Sequence, residues 1–171
     1  ELSIDQLAAV INEMDSDDAV DLLEDIDDTV KNQLYPILKE DVKADIRLIH
    51  SYDEDEIGSL ITNNYICISK DLNIRQAMHE LIRQAGDNDN ISTIYVTDKQ
   101  GKFSGAIDLK DLIIAREGTD LKGIMTCSYP YIYASASIED CIPQLRDYSE
   151  DSIPVLDNDN KLLGVITSQS M

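Results

Sequence analysis

The C-terminal two thirds of this chain states one pattern twice, which commits it to a pseudo-symmetric pair of units sharing a core. Leu60-Ile61-Thr62 is answered by Ile124-Met125-Thr126, sixty-four positions on. In the same register Tyr65 falls on Tyr129, Ile68 on Ile132, Ile74 on Ile138, Ala77 on Cys141, Met78 on Ile142 and Leu81 on Leu145. The offset then drops to fifty-nine, so the first copy holds five extra residues, placed around Ala85 to Asp89. Beyond them Ile94-Tyr95-Val96-Thr97-Asp98 matches Ile153-Pro154-Val155-Leu156-Asp157, and Gly105-Ala106-Ile107 matches Gly164-Val165-Ile166.

Each copy reads as strand, helix, strand, strand, helix. The strands are short and β-branched, as in Tyr65-Ile66-Cys67-Ile68, Thr93-Ile94-Tyr95-Val96 and Ser104-Gly105-Ala106-Ile107. Between the first two, Ile74, Ala77, Met78, Leu81 and Ile82 have the spacing of one buried helical face. Asp98-Lys99-Gln100-Gly101 and Asp157-Asn158-Asp159-Asn160 carry turn residues that join the last two strands as a hairpin. The fold class is α+β.

The front of the chain has a different period, twelve. Val10, Leu22 and Leu34 align, as do Ile11, Leu23 and Tyr35, and Met14, Ile26 and Leu38. Asp15 and Asp27 stand where helix N-caps belong, and Ser3 with Gln6 forms a capping box. Twelve residues hold one short helix and a tight turn, so this segment reads as a superhelical stack of short helices. Pro36 kinks or starts one of them, and the last runs over Asp41 to Tyr52.

Charge narrows the partners. The 171 residues carry 34 acidic and 14 basic side chains, a formal net charge of −20. Nucleic acid and anionic lipid both demand neutralising Lys and Arg, so neither is expected, and cations are the partner this surface attracts. The acid is concentrated at the front, where Glu13 to Asp28 holds nine carboxylates and no Lys or Arg. Such a cluster repels itself unless screened or bridged. No apolar run reaches the roughly 18 residues of a membrane span, and Glu1-Leu2-Ser3-Ile4-Asp5 does not open a signal peptide. Cys67, Cys127 and Cys141 are odd in number and lack metal-ligand spacing, which implies a reduced, cytoplasmic setting.

Gly164-Val165-Ile166-Thr167, Ile153-Pro154-Val155-Leu156-Asp157 and Met125-Thr126 together resemble the cystathionine-β-synthase (CBS) domain, which usually occurs in tandem pairs. Three motifs recurring in order in both copies make the likeness specific. Preceded by an acidic twelve-residue helical repeat, and joined through Tyr52-Asp53-Glu54-Asp55-Glu56-Ile57-Gly58-Ser59-Leu60-Ile61-Thr62, the pair is similar to the cytosolic region of the MgtE family of magnesium transporters and channels. This resemblance implies an acidic helical N domain over 1–53, a first CBS domain over 54–117 and a second over 118–171 that stops at Ser170-Met171 before its last helix. It also implies a homodimer, built around the helices of Ile74 to Ile82 and Ile138 to Leu145, and a fragment of a longer protein that continues into a membrane pore. The function implied is Mg²⁺ sensing: ions held between acidic faces close the assembly, and their loss lets repulsion open it. Mg²⁺ keeps much of its water and binds through one or two carboxylates, which suits such faces.

The candidate ligands are Asp15, Asp17, Asp18, Asp21 and Glu24 in front, with Glu139, Asp140 and Asp147 in the second CBS unit. Ser137, Arg146, Ser149 and Ser170 stand where the family leads one to look for cation ligands, which either thins the CBS contribution or displaces it to Asp140, Asp147, Glu150 and Asp151. Many CBS pairs also bind an adenosine nucleotide through a "Gly-x-x-Thr/Ser-x-x-Asp" pattern. Here Gly105 to Asp111 keeps the Asp but has Asp108 for the hydroxyl residue, while Thr167 is followed by Ser170. ATP would then meet Asp111 with its ribose and Lys110 with its phosphates. The alternative function is an adenosine-nucleotide-responsive CBS module of an enzyme or another transporter. No enzymatic activity is expected of the chain itself: His50 and His79 lie far apart, and no Gly-x-Ser-x-Gly, P-loop or zinc signature occurs.

Overall fold

The computed structural model describes residues 3–147 and 151–167. The twelve-residue period of the front segment appears in it as evenly spaced helix starts. Helices α1 (Ile4–Glu13), α2 (Ser16–Glu24), α3 (Asp28–Leu34) and α4 (Glu40–His50) have N-caps at Ser3, Asp15, Asp27 and Lys39, each twelve after the last. Ser3 and Gln6 form the reciprocal box, with Gln6 N–H donating to Ser3 Oγ at 3.2 Å and Ser3 N–H donating to Gln6 Oε1 at 3.0 Å. Pro36 lies at the start of a 3-10 turn, Tyr35–Ile37, where its missing N–H is harmless. The last helix begins one residue earlier than its pattern implies and ends at His50, with Ser51 as its C-cap. Of the aligned apolar positions, Ile11, Leu23, Leu34 and Leu38 are buried. Val10 lies outside the stripe, 45% exposed.

The two copies fold alike. The first comprises β1 (Ile66–Ser69), α5 (Ile74–Ala85), β2 (Thr93–Thr97), β3 (Phe103–Asp108) and α6 (Leu109–Ile114). The second comprises β4 (Ile132–Tyr133), α7 (Ile138–Arg146), β5 (Ser152–Leu156) and β6 (Leu162–Thr167). The stop at Ser170-Met171, and the positions Ser149 and Glu150, lie outside the described residues. Each unit is a three-stranded sheet in which the first strand runs parallel to the second and the second antiparallel to the third. The sequence offsets reappear as strand register: Ile68 faces Val96 as Ile132 faces Val155, and Ile94 faces Ile107 as Ile153 faces Ile166.

The copies hold each other by exchange. The lead-in to the first copy pairs with the last strand of the second, Thr62 N–H donating to the Val165 carbonyl at 2.8 Å. Reciprocally, Thr126 N–H donates to the Ala106 carbonyl at 2.8 Å. These close approaches need glycine beside them: a Cβ on Gly105 would lie 2.6 Å from the Thr126 carbonyl oxygen, and one on Gly164 2.9 Å from that of Thr62. On the axis Tyr95 is wholly buried, bonding Ser152 of the other copy through its hydroxyl.

The first copy closes a core of its own from Ile66, Ile68, Ala77, Leu81, Ile94, Val96, Ile107 and Leu112. The second does not. Its Ile132, Ala134, Leu145, Ile153, Val155 and Ile166 continue through Ile57 and Ile61 into the core of the helical segment. One expectation for α5 is corrected here: Ile74, Ala77 and Leu81 are buried but Ile82 is 67% exposed. It lies at the rim of the buried face and joins exposed Ile113 in an apolar groove between α5 and α6. No helix among the described residues is long and apolar enough to cross a membrane.

Candidate functional site

The docking of the helical segment against the CBS pair turns the start of α2 toward the lead-in of β1. Asp15 is the N-cap of α2, yet its carboxylate makes no capping bond. It accepts instead from the Asn64 side-chain amide at 3.1 Å, and the same Asn64 Nδ2 donates to Asp89. Asn64 Oδ1 accepts the backbone N–H groups of Asp89 at 3.1 Å and Asn90 at 3.3 Å. Beside it, Asn63 bonds both Ser16 and Asp45.

Three carboxylates converge there. One oxygen from each of Asp15, Asp17 and Asp18 lies within 4.8 Å of the others, the first turn of α2 having folded all three to one side. They line a cavity of about 550 Å³ with Thr62, Asn64, Asp89, Asn90, Asp151 and Thr167. Helical segment, first copy and second copy each supply an acid. Ser92 Oγ donates to Asp151 at 3.2 Å and fixes the last of these. Asp17 Oδ1 is buried and has no hydrogen-bond partner among the described residues.

Such an arrangement resists ionisation. Burial pushes the Asp17 carboxyl above the usual carboxylate range, with a bond from Thr62 pulling part of the way back and Asp18 adding repulsion. Burial likewise raises Asp15, reinforced by Asp17 and opposed by the Asn64 amide. Asp45 is raised by burial as well, against a lowering bond from Asn63. Oxygen ligands gathered this closely, in a cavity with room for water, match the needs of a hard divalent cation that keeps part of its hydration shell.

Other candidate residues lie elsewhere. Asp21 and Glu24, further along α2, do not line this cavity; they line a second of about 480 Å³ with His50, Asp53 and Glu54. On the 3.6-residue period they keep the stripe of Asp17, but each turn moves them a further ~5.4 Å along the axis of α2, away from the cavity at its N-terminus. Glu139 and Asp140 are exposed in the first turn of α7, whose first N–H, that of Ile138, donates to the Asp55 carbonyl at 2.8 Å. Asp147 is the exposed C-cap of that helix. None of these three lines the cavity of Asp15. On α6, Lys110 is exposed and Asp111 half-buried, and neither lines it. Asn63, Asn64 and Asp89 were not singled out by sequence. Asp89 sits at the end of the five-residue insertion, which was the one available signal.

A tandem CBS pair carrying an acidic helical domain over one of its faces is the class that fold and site define. The CBS domain family matches residues 57–118 and 121–171, and the MgtE intracellular N domain matches residues 1–55. The chain belongs to the CBS-domain family, with the domain combination of the MgtE proteins. It is 29% identical over 154 residues to the magnesium transporter MgtE of Thermus thermophilus, covering 88% of this chain and 34% of that protein. It is 26% identical over 157 residues to the magnesium transporter MgtE of Bacillus subtilis, covering 92% of this chain and 35% of that protein. The chain thus spans about a third of the length of these curated relatives. Two solved structures are 28% identical and match over 99% of this chain. The soluble part of a magnesium transporter gives a TM-score of 0.90 with 66% of its chain covered. The cytosolic domain of the Mg²⁺ channel MgtE in complex with ATP gives 0.88 with 69% covered.

Proposed function

We propose that this chain is the cytosolic Mg²⁺-sensing region of a magnesium transporter or channel, gating a pore that lies outside it. The observation that carries this reading is the convergence of Asp15, Asp17 and Asp18 on a cavity shared with Asp89 and Asp151. A bridging cation offsets the repulsion among these acids only when the helical segment is docked, so binding favours the docked form. Loss of the ion leaves like charges facing each other, and the segment is pushed away. The division into units at 1–53, 54–117 and 118–171 belongs to the same reading. So does a homodimer, for which the exposed groove of Ile82 and Ile113 between α5 and α6 offers an apolar face. The role is regulatory rather than enzymatic.

Thermal melting and sedimentation in EDTA, Mg²⁺, Ca²⁺ and K⁺ at matched ionic strength test this. Millimolar Mg²⁺ raises the melting temperature and compacts the protein beyond what K⁺ achieves; equal effects reduce the reading to charge screening.

A nucleotide is the second ligand proposed, supported by the ATP complex of a protein 28% identical to this one. Its ribose hydroxyls would meet Asp111 and its phosphates Lys110, with Asp108 weakening the contact. Calorimetric titration of ATP into wild type and Asp111→Ala decides this, because unchanged heat in the variant removes the site.

A further inference from the structure

We propose that Ser92 is the positioning residue that makes the cation cavity one-sided, aiming the Asp151 carboxylate at the acids of α2 rather than at the equivalent place in the other half of the pair. The two residues are each other's counterparts, since the offset of fifty-nine that aligns the middle strands carries Ser92 onto Asp151. Counterparts bonded to each other straddle the pseudo-two-fold axis, so the axis passes through this bond. Full symmetry would place one residue type at both positions and favour neither half. This chain has a hydroxyl donor at one and a carboxylate at the other. Asp151 lines the cavity with Asp15, Asp17 and Asp18, and Ser92 does not.

The backbone on either side of the bond is held firmly. Thr93 and Ser152, the next residues along, are 5% and 2% exposed. The Tyr95 hydroxyl crosses between the copies to donate to the Ser152 carbonyl at 3.3 Å and to meet its hydroxyl. The Ser92 carbonyl accepts Leu109 N–H at 3.0 Å, at the start of α6. What remains free is the Asp151 side chain, an exposed carboxylate with several rotamers open to it. A hydroxyl 3.2 Å away on a fixed backbone removes that choice, and a ligand already oriented loses less entropy when the ion binds. Both side chains reach solvent, so the bond adds little to folding and its effect falls on the ion. The effect on the ion rests on the function proposed above; the orientation of Asp151 does not.

Two measurements test this. Side-chain coupling constants of Asp151 in EDTA show one rotamer in wild type and an average in Ser92→Ala; averaged values in wild type overturn the positioning. Thermal melting across a Mg²⁺ titration then reads the midpoint of the response. Ser92→Ala raises that midpoint by roughly twofold, because the carboxylate must be ordered by the ion itself. Ser92→Thr, which keeps the hydroxyl, restores it, and Ser92→Ala adds nothing in an Asp151→Asn background. The sharpest variant exchanges the pair, Ser92→Asp with Asp151→Ser, keeping the net charge and both bonding groups while moving the carboxylate to the first copy. Its midpoint matches that of Asp151→Asn. A wild-type midpoint there means that charge alone matters and overturns the proposal, as do an unchanged midpoint in Ser92→Ala and additive shifts in the double variant. Should Ser92→Ala not fold, the exchange decides alone. A wild type that responds to Mg²⁺ no more than to K⁺ removes the cation reading and the ion-directed half of the proposal with it, while the coupling constants still decide the orientation.

Discussion

The two CBS copies have one skeleton and different neighbours. Their strands share register, both have an irregularity at the end of the middle strand, Val96/Thr97 and Val155/Leu156, and both hairpins turn through a positive φ, at Gly101 (84°) and Asn160 (66°). Asp98 and Asp157 bind these turns alike, each accepting two backbone N–H groups. Yet the first copy seals its own core, while the second shares one with the helical segment. Only the first carries the insertion that brings Asp89 and Asn90 to Asn64. Repeated apolar residues thus reproduce a backbone, and unrepeated polar ones decide which side of it becomes a cavity.

The largest effect should come from striking the shared skeleton. Gly105→Ala sets a Cβ 2.6 Å from a carbonyl oxygen at a φ of +157°, and should lose on the order of 2–3 kcal/mol in urea unfolding. Gly164→Ala, with 2.9 Å available, should lose less. Two near-neutral results would mean that the reciprocal crossings do not hold the copies together. Next comes the cavity: Asp15→Asn with Asp17→Asn and Asp18→Asn should abolish a Mg²⁺ stabilisation worth about 2.7 kcal/mol at a hundred times Kd. The same triple change should stabilise the metal-free form. Asp21→Asn with Glu24→Gln should keep the Mg²⁺ response, and its loss would merge the two cavities that the structure separates.

Acid should act in the cavity's favour, by a smaller amount. Asp15, Asp17 and Asp45 have folded pKa values raised above the ordinary 3.8, so the folded state takes up protons before the unfolded chain does. Their contribution is complete below 3.8 and is lost as pH rises through the raised values. Melting in EDTA should therefore gain stability as pH falls from neutrality toward that range, and the Mg²⁺ increment should shrink in step as protons displace the ion. A metal-free stability that only falls over this range would refute the sign. The smallest expected change sharpens the comparison of the copies. Asp89→Asn from the first and Asp151→Asn from the second should each raise the Mg²⁺ midpoint by roughly threefold, ~0.6 kcal/mol. A shift for one alone would assign the ion to that copy.

Much of this skeleton can be read from the chain because its signals are local or periodic. Caps at Ser3, Asp15 and Asp27 follow from the twelve-residue spacing, and the offsets of sixty-four and fifty-nine become strand register directly. The start of the cavity is legible too, since Asp15, Asp17 and Asp18 share a first helical turn. What sequence does not reveal is the far wall. Asn63 and Asn64 reach α2 across 47 and 49 positions, and nothing in their own neighbourhood announces those bonds. Asp21 and Glu24 share the stripe of Asp17, but which cavity each turn of that stripe meets depends on what packs beside it, and they line the second one. Ile82 extends an apolar pattern past the width of the buried stripe, where water and a partner surface are the only choices.

The crossing of Thr62 with Val165 has a consequence for how the protein is made. Those residues are about a hundred positions apart, and ribosomes add them in that order, so the first copy emerges with its leading edge unpaired. The Thr126–Ala106 crossing can form early, being local by comparison. The Thr62 edge waits for the last strand, exposing backbone donors and acceptors that any extended segment could take up. A nascent chain of this design is vulnerable until the hairpin of β5 and β6 leaves the exit tunnel. One hydrogen-bonded pair thus makes translation, as well as thermodynamics, a condition of reaching the finished seam.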